Sequence, residues 1–457
     1  MKHAPQRDLT SGNITGTLLR FAFPLMIGNL LQQFYNIADT WIVGHFLGSG
    51  ALAAVGSAYT LMVFLTSILL GLCMGSGAAF AIHYGERNFE KLGCSRAISF
   101  SFISLITLLL NGIVFWQIDR IIRILQVPAE ITGLMKDYLW IIFWGIAATF
   151  LYNYFANLLR ALGNSVAPLL FLGISAVLNI ILDLVFVVVL DWGVKGAAGA
   201  TVLAQYVSGI GILLYTFIRF PELRLGRRHM RWDVQLIREI LGLSSMTCIQ
   251  QSVMNFGILM VQGLVNSFGT VVMAAFAAAV KIDTFAYMPV QDFGNAFSTF
   301  VAQNFGAGKK KRIQSGIKSA VITVFLFCMV ISILVCEFAK PLMCIFVAPQ
   351  ETEIIETGVG YLTIEASCYI GIGILFLLYG FYRAVKRAEM SVVLTVISLG
   401  TRVVLAYTLS AVPVIGVNGI WIAVPIGWLL ADITGVVYYT KVQKNYLDAI
   451  GQQDKNI

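Results

Sequence analysis

Read from the N-terminus, the chain alternates long apolar runs with short breaks that carry charge, glycine or proline. Twelve runs can be marked: 18–44, 52–83, 94–118, 133–160, 166–190 and 196–219, then 240–266, 272–303, 314–340, 359–383, 391–412 and 418–441. Each is close to or above the ~20 helical residues that cross a hydrocarbon core of ~30 Å. Hydrocarbon offers no water to unpaired amides, so these runs must be helices, and nothing alternates as a barrel strand would. The pattern predicts an all-α polytopic membrane protein with 12 transmembrane helices. Composition agrees: 58% of residues are hydrophobic and only 12% charged, about half the ~25% of an average soluble domain. The first run is too long for a signal-peptide core and lacks a small-residue cleavage site, so a cleaved leader is not expected.

Net charge of +8 changes the picture only through its placement. With both termini in the cytoplasm, 24 of the 31 lysines and arginines fall in or beside cytoplasmic segments. Arg120, Arg123, Lys136, Lys195 and Lys340 fall in external loops, and Lys281 and Arg402 within spans. This is the bias expected of a protein with an even number of spans. The basic stretch Arg219–Arg238 thus reads as a topology signal facing lipid headgroups, and no nucleic-acid partner is expected. Seven scattered cysteines make no CxxC pair or ligand set and read as buried thiols. No metal site is expected beyond a cation site, and no Walker-type loop is present for ATP.

The two groups of six runs repeat one another. Leu31-Gln32-Gln33 recurs as Ile249-Gln250-Gln251, Ala53-Ala54 as Ala274-Ala275, and Tyr84-Gly85 as Phe305-Gly306. Val127-Pro128 matches Ala348-Pro349, Arg160-Ala161 matches Arg383-Ala384, and Gly193-Val194-Lys195-Gly196 matches Gly416-Val417-Asn418-Gly419. The offset stays between 218 and 223 residues. The expected organisation is an N-terminal six-helix lobe (1–220), a basic linker (221–239), a C-terminal lobe (240–445) and a tail (446–457). Six spans per unit give both halves one orientation, the parallel-repeat arrangement of transporters with a site between lobes.

Gln32-Gln33-Phe34-Tyr35-Asn36-Ile37-Ala38-Asp39-Thr40 in the first run, Gly44-His45-Phe46-Leu47-Gly48 and Leu52-Ala53-Ala54-Val55 after it, and Leu159-Arg160-Ala161-Leu162-Gly163-Asn164 in the fourth carry a resemblance. With the duplication, the chain resembles the multidrug and toxic compound extrusion (MATE) family along essentially its whole length. The resemblance implies a V-shaped pair of bundles with a central cleft. It also implies a secondary antiporter, not an enzyme, that exports amphipathic and often cationic small molecules against inward Na⁺ or H⁺. The bacterial cytoplasmic membrane is the expected location, and a monomer the expected state. The alternative is a flippase for lipid-linked precursors, whose distantly similar fold usually has more helices and a more basic cavity.

Ionisable groups inside spans are costly, so each is a candidate for function. Asp39 lies in the first run and Asp183 in the fifth. Asn179 precedes Asp183 by four residues and so shares its helical face, and Thr201 opens the sixth run. In the resembled family the matching positions form a cation site, and the correspondence here is Asp39, Asn179, Asp183 and Thr201. Two carboxylates in a poorly hydrated bundle tend to hold a proton or a cation, and carboxylate, amide and hydroxyl oxygens are hard ligands. Na⁺ and H⁺ suit these side chains equally, and no other cofactor is expected. By the repeat, Asp39 falls on Gly257, Asn179 on Arg402 and Asp183 on Ala406, so the second half does not copy the site. A branch of the family places carboxylates on its seventh and tenth helices, but Gln250-Gln251 and Ile372 stand near those positions. Lys281, Asp283, Glu365 and Arg402 form a candidate charged network in the C-terminal half, with Arg402 expected to pair with Glu365 or Asp283. Polar, soft and aromatic side chains suited to varied organic cations are Gln33, Tyr35, Asn36, Met62, Gln251, Met254, Asn255 and Met288. Gly75-Ser76-Gly77-Ala78-Ala79 reads as a close helix-packing patch.

Overall fold

The computed structural model describes residues 8–124, 129–223, 226 and 233–443. Most of the basic linker, the tail 446–457 and Val127-Pro128 lie outside the described residues. Among those described, ten helices are long and apolar enough to cross a membrane, and two bent pairs bring the number of spans to twelve. The first six spans are Ile14–Gly48, Gly50–Gly85, Phe89–Trp116, the pair Glu130–Ile142 and Gly145–Ala161, Val166–Val189, and Gly193–Arg219. The second six are Val234–Asn266, Thr270–Gly306, Lys310–Glu337, the pair Thr352–Ala366 and Tyr369–Ala384, Ala388–Ser410, and Asn418–Lys441.

The exposed faces of these helices are apolar and the polar side chains point inward, the reverse of a soluble bundle. On the fifth span Leu170, Ile174, Val177 and Ile181 are each more than half exposed, while Ala176, Asn179 and Asp183 are buried. Their spacing of four, three and four residues is one helical stripe. Such a surface needs lipid as its solvent, because leaving that much apolar area in water is unfavourable.

The duplication is as visible in the backbone as in the sequence. Left-handed residues fall in register: Gly48 with Gly269 and Arg87 with Gly308 at an offset of 221, Gly163 with Lys386 and Gly193 with Gly416 at 223. Gly48 (φ 84°, ψ −178°) separates the first span from the second, and Gly269 (φ 95°, ψ 175°) does the same for the seventh and eighth. Only glycine adopts that extended, positive-φ conformation without steric cost. The fourth and tenth runs each read as a continuous apolar stretch, yet both bend, by 44° after Ile142 and by 52° after Ala366.

The chain forms two compact units. One comprises Met1–Asp8 and Ile27–Cys248, the other Leu9–Met26 and Ile249–Ile457. The boundaries of these units fall within the first and seventh spans. The physical reason lies in how the lead-in to each span is held. In the second unit, Leu9 is fully buried, its N–H donates to Gln303 Oε1 (3.2 Å), and Asn304 Nδ2 donates to its carbonyl (3.2 Å). Arg312 donates to the carbonyls of Leu9 (3.2 Å), Ser11 (2.6 Å) and Gly12 (2.7 Å), and Lys309 Nζ to that of Thr10 (2.8 Å). In the first unit, Arg96 donates to the Leu223 carbonyl, and Ser76 Oγ lies 2.8 Å from Ser244 Oγ at the start of the seventh span. A Cβ on Gly75 would run into the backbone of Leu243 and Ser244, so the small-residue patch does let the second and seventh spans meet there.

Candidate functional site

In the first unit the fifth span ends its α-helical part at Asp183 and continues as a π-helix over Leu184–Val189. A π turn inserts one residue per turn and re-aims the side chains around it, a device common at functional sites. Asp183 and Asn179 point into the bundle with 0% and 2% of their surface exposed. Asn179 Nδ2 donates to Thr201 Oγ1 on the sixth span (3.3 Å). That bond fixes the amide so that its other end, Oδ1, is the free acceptor. Asp39 on the first span brings its carboxyl within hydrogen-bonding reach of Asp183. All four expected residues thus come together, from three spans.

What distinguishes the cluster is unsatisfied acceptors. Asp39 Oδ1, Asn179 Oδ1 and both oxygens of Asp183 are buried and receive no hydrogen bond. Buried polar atoms almost always have a partner, so four orphaned oxygens in one place require an explanation. Among the described residues no lysine or arginine is a charge acting on either aspartate. Two carboxyls in contact cannot hydrogen-bond unless one carries a proton, and two carboxylates there need a cation between them. An oxygen-only donor set fits a hard cation or a proton and does not fit a soft metal.

Two tyrosines complete the surroundings. Tyr35, one turn before Asp39, and Tyr138 on the fourth span both feel the charges of Asp39 and Asp183. Tyr138 had no signal as an isolated tyrosine in an apolar run. Its repeat partner is Tyr361, 223 residues on, and that pairing was the signal available. Gln33, Tyr35 and Asn36 are half-buried along the first span, where Asn36 Nδ2 lies 3.5 Å from Gln33 Oε1, and Met62 is half-buried on the second.

In the second unit, Gln251 is 8% exposed and Met254 and Asn255 are half-buried on the seventh span, with Asn255 Nδ2 donating to the Gln251 carbonyl (3.2 Å). Met288 is buried in the bundle at 5% exposure. Asp283 and Glu365 are buried at 4% and 1% and lie within hydrogen-bonding reach of each other. Asp283 accepts from Tyr369 (2.7 Å) and Tyr361 (3.4 Å). Arg402 is the cation acting on both carboxyls, without an ion pair inside 4 Å among the described residues. Lys281 stands apart from this group, exposed, with Nζ 5.8 Å from the Phe346 ring centroid.

Residues 24–185 and 244–408 match the family described as MatE, once in each half and over well more than half the chain. The chain belongs to the MatE family. Relatives match more than nine-tenths of its length. "Probable multidrug resistance protein YpnP" of Bacillus subtilis is 29% identical over 442 residues, 94% of this chain and 96% of its own. "Probable multidrug resistance protein NorM" of Thermotoga maritima is 28% identical over 430 residues, 91% and 89% of the two chains. The fold is that of a solved MATE structure in complex with MaL6, with a TM-score of 0.90 at 22% identity over 97% and 98% of the chains. The MatE chain described here is therefore a multi-pass transporter of small molecules and not an enzyme.

Proposed function

We propose that this MatE protein is a secondary antiporter that exports amphipathic, often cationic, small molecules against inward Na⁺ or H⁺. The observation that carries the reading is the set of four orphaned oxygens on Asp39, Asn179 and Asp183, with Thr201 holding the amide in place. A cation or proton entering there supplies the missing positive charge and satisfies acceptors contributed by different spans. The same event alters what the first and fifth spans can pack against, which is how occupancy at one site biases a conformational equilibrium. Pro24 removes one backbone hydrogen bond from the first span, and Gly28, one turn later, leaves it without a side chain. Gln33, Tyr35, Asn36 and Met62 in the first unit, and Gln251, Met254, Asn255 and Met288 in the second, are the proposed substrate contacts. The location is a bacterial cytoplasmic membrane with both termini inside, in keeping with the placement of the basic residues.

The test is efflux of a fluorescent organic cation from cells or vesicles under separately imposed Na⁺ and proton gradients, for wild type and Asp39→Asn. Flux that follows one gradient and disappears in the variant is expected. Flux indifferent to both gradients, or equal in the variant, overturns the antiport reading.

A further inference from the structure

Each compact unit holds the leading part of a span that continues in the other: the second holds Leu9–Met26 of the first span, and the first holds the seventh span as far as Cys248. The first unit's hold is a close antiparallel seam between the second and seventh spans. A Cβ on Gly71 would meet the backbone of Thr247 and Cys248, one on Gly75 that of Leu243 and Ser244, and Ser76 Oγ lies 2.8 Å from Ser244 Oγ. Small residues let two helices approach this closely. The seam ends on His83, which is fully buried. Its Nδ1 lies 3.3 Å from Glu86 Oε2, just past the end of the second span. Its Nε2, which makes no hydrogen bond, faces Glu239 Oε1 of the seventh span at 3.6 Å. The second unit's hold closes on the same position of the repeat. Asn304, 221 residues after His83 and also fully buried, donates through Nδ2 to the Leu9 carbonyl (3.2 Å). One hold ends on an amide whose charge never changes, the other on a titratable ring.

We propose that His83, Glu86 and Glu239 form a proton-binding site that fastens the start of the seventh span to the end of the second. A neutral imidazole carries one N–H, so it donates to one carboxylate and turns a lone pair toward the other, whichever tautomer it adopts. The imidazolium carries two N–H groups and serves both, through charge-assisted bonds about twice as strong as neutral ones. A proton on the ring therefore draws Glu86 and Glu239 together across it, and its loss sets a lone pair against one of them. Among the described residues, Lys91 of the third span stands behind Glu86 (Nζ to Oε2, 3.7 Å). Arg87, next to Glu86, is engaged by Asp8 of the N-terminal lead-in (2.9 Å). The first unit's grip on the seventh span weakens as pH rises and the ring loses its second N–H. The second unit's grip on the first span, closed by Asn304, does not change. In the orientation proposed above, both holds lie on the cytoplasmic side, so this site reads cytoplasmic pH. It is separate from Asp39 and Asp183 and stands whichever ion couples transport.

The experiment is hydrogen–deuterium exchange of the full-length protein in nanodiscs between about pH 5 and 9, a range that brackets the titration of histidine, with the intrinsic pH dependence of amide exchange divided out. Wild type is compared with His83→Asn, which copies the repeat partner, and with Glu239→Gln. In the wild type, the amides of residues 238–246 are expected to lose protection about tenfold from the acid to the alkaline end, the worth of one hydrogen bond to a charged group. Residues 14–22 of the first span, held by the second unit, are expected to show no step. Each substitution is expected to abolish the step at 238–246. No step in the wild type, a step that survives either substitution, or an equal step at 14–22 overturns the proposal. Should His83→Asn fail to fold, Glu239→Gln decides alone, because Glu239 is 18% exposed and glutamine keeps its side-chain volume.

Discussion

Asn179 and Arg402 stand 223 residues apart at one position of a duplicated unit, and the two bundles solve the same electrostatic problem differently around them. The first places Asp39 and Asp183 together with no fixed positive charge, and four buried oxygens are left without donors. The second places Asp283 and Glu365 together with Arg402 beyond ion-pair contact, two tyrosine hydroxyls on Asp283, and Glu365 Oε1 without a donor. Burying an uncompensated carboxylate costs several kcal/mol or more. A bundle with an arginine near its carboxyls offsets part of that cost at every physiological pH. A bundle that lacks one is stable in a single state only when something else arrives, which is the property a coupling site needs. The comparison teaches that one position of a duplicated unit can hold an amide in one half and a guanidinium in the other, with a pair of carboxyls gathered near each.

The largest expected effect comes from removing a carboxyl from the first cluster. Asp183→Asn should reduce gradient-driven efflux by on the order of a hundredfold, the upper range of site-to-site coupling. Transport assays in vesicles measure this, and retained coupled flux would erase the asymmetry between the bundles. Next, Arg402→Asn should lower stability by about 3 kcal/mol, as breaking a buried charge cluster does, and lower the melting temperature in detergent. Adding Glu365→Gln should return most of the loss; a melting temperature that stays low would show that Arg402 acts through packing instead. A smaller effect is expected at Thr201, whose hydroxyl accepts from Asn179. Thr201→Val should weaken cation binding about fivefold, the worth of roughly 1 kcal/mol in one hydrogen bond, while Thr201→Ser stays close to wild type. Equal losses in both variants would point to side-chain packing at this position. Lys281→Gln should change efflux by less than about twofold, because an exposed lysine is little coupled to the buried pair. A large loss there would place Lys281 back in the network.

Much of this was legible in the chain itself. Asp39, Asn179 and Asp183 announced themselves because an ionisable or amide group within an apolar run must be compensated inside the bundle. The twelve spans and the repeat followed from hydropathy and from six short matches in register. The rest depended on geometry that side-chain type does not encode. Hydropathy runs unbroken through residues 133–160 and 359–383, so the bends of 44° and 52° left no trace in it. The anchoring of Leu9–Gly12 uses backbone carbonyls as acceptors for Arg312 and Lys309, and any residues can supply those. Arg402 was visible as a charge in a span, but the direct pair expected with Glu365 or Asp283 is not what the structure contains. It acts on both from beyond ion-pair contact.

The central claim is that the first bundle alone carries the coupling ion, on Asp39 and Asp183. It is tested most directly in proteoliposomes by imposing a substrate gradient and following the movement of ²²Na⁺ and of protons, for wild type and Asp183→Asn. The account predicts that one of the two ions moves opposite to substrate in the wild type and that neither moves in the variant. Ion movement of undiminished size in Asp183→Asn, with substrate still crossing, would contradict it.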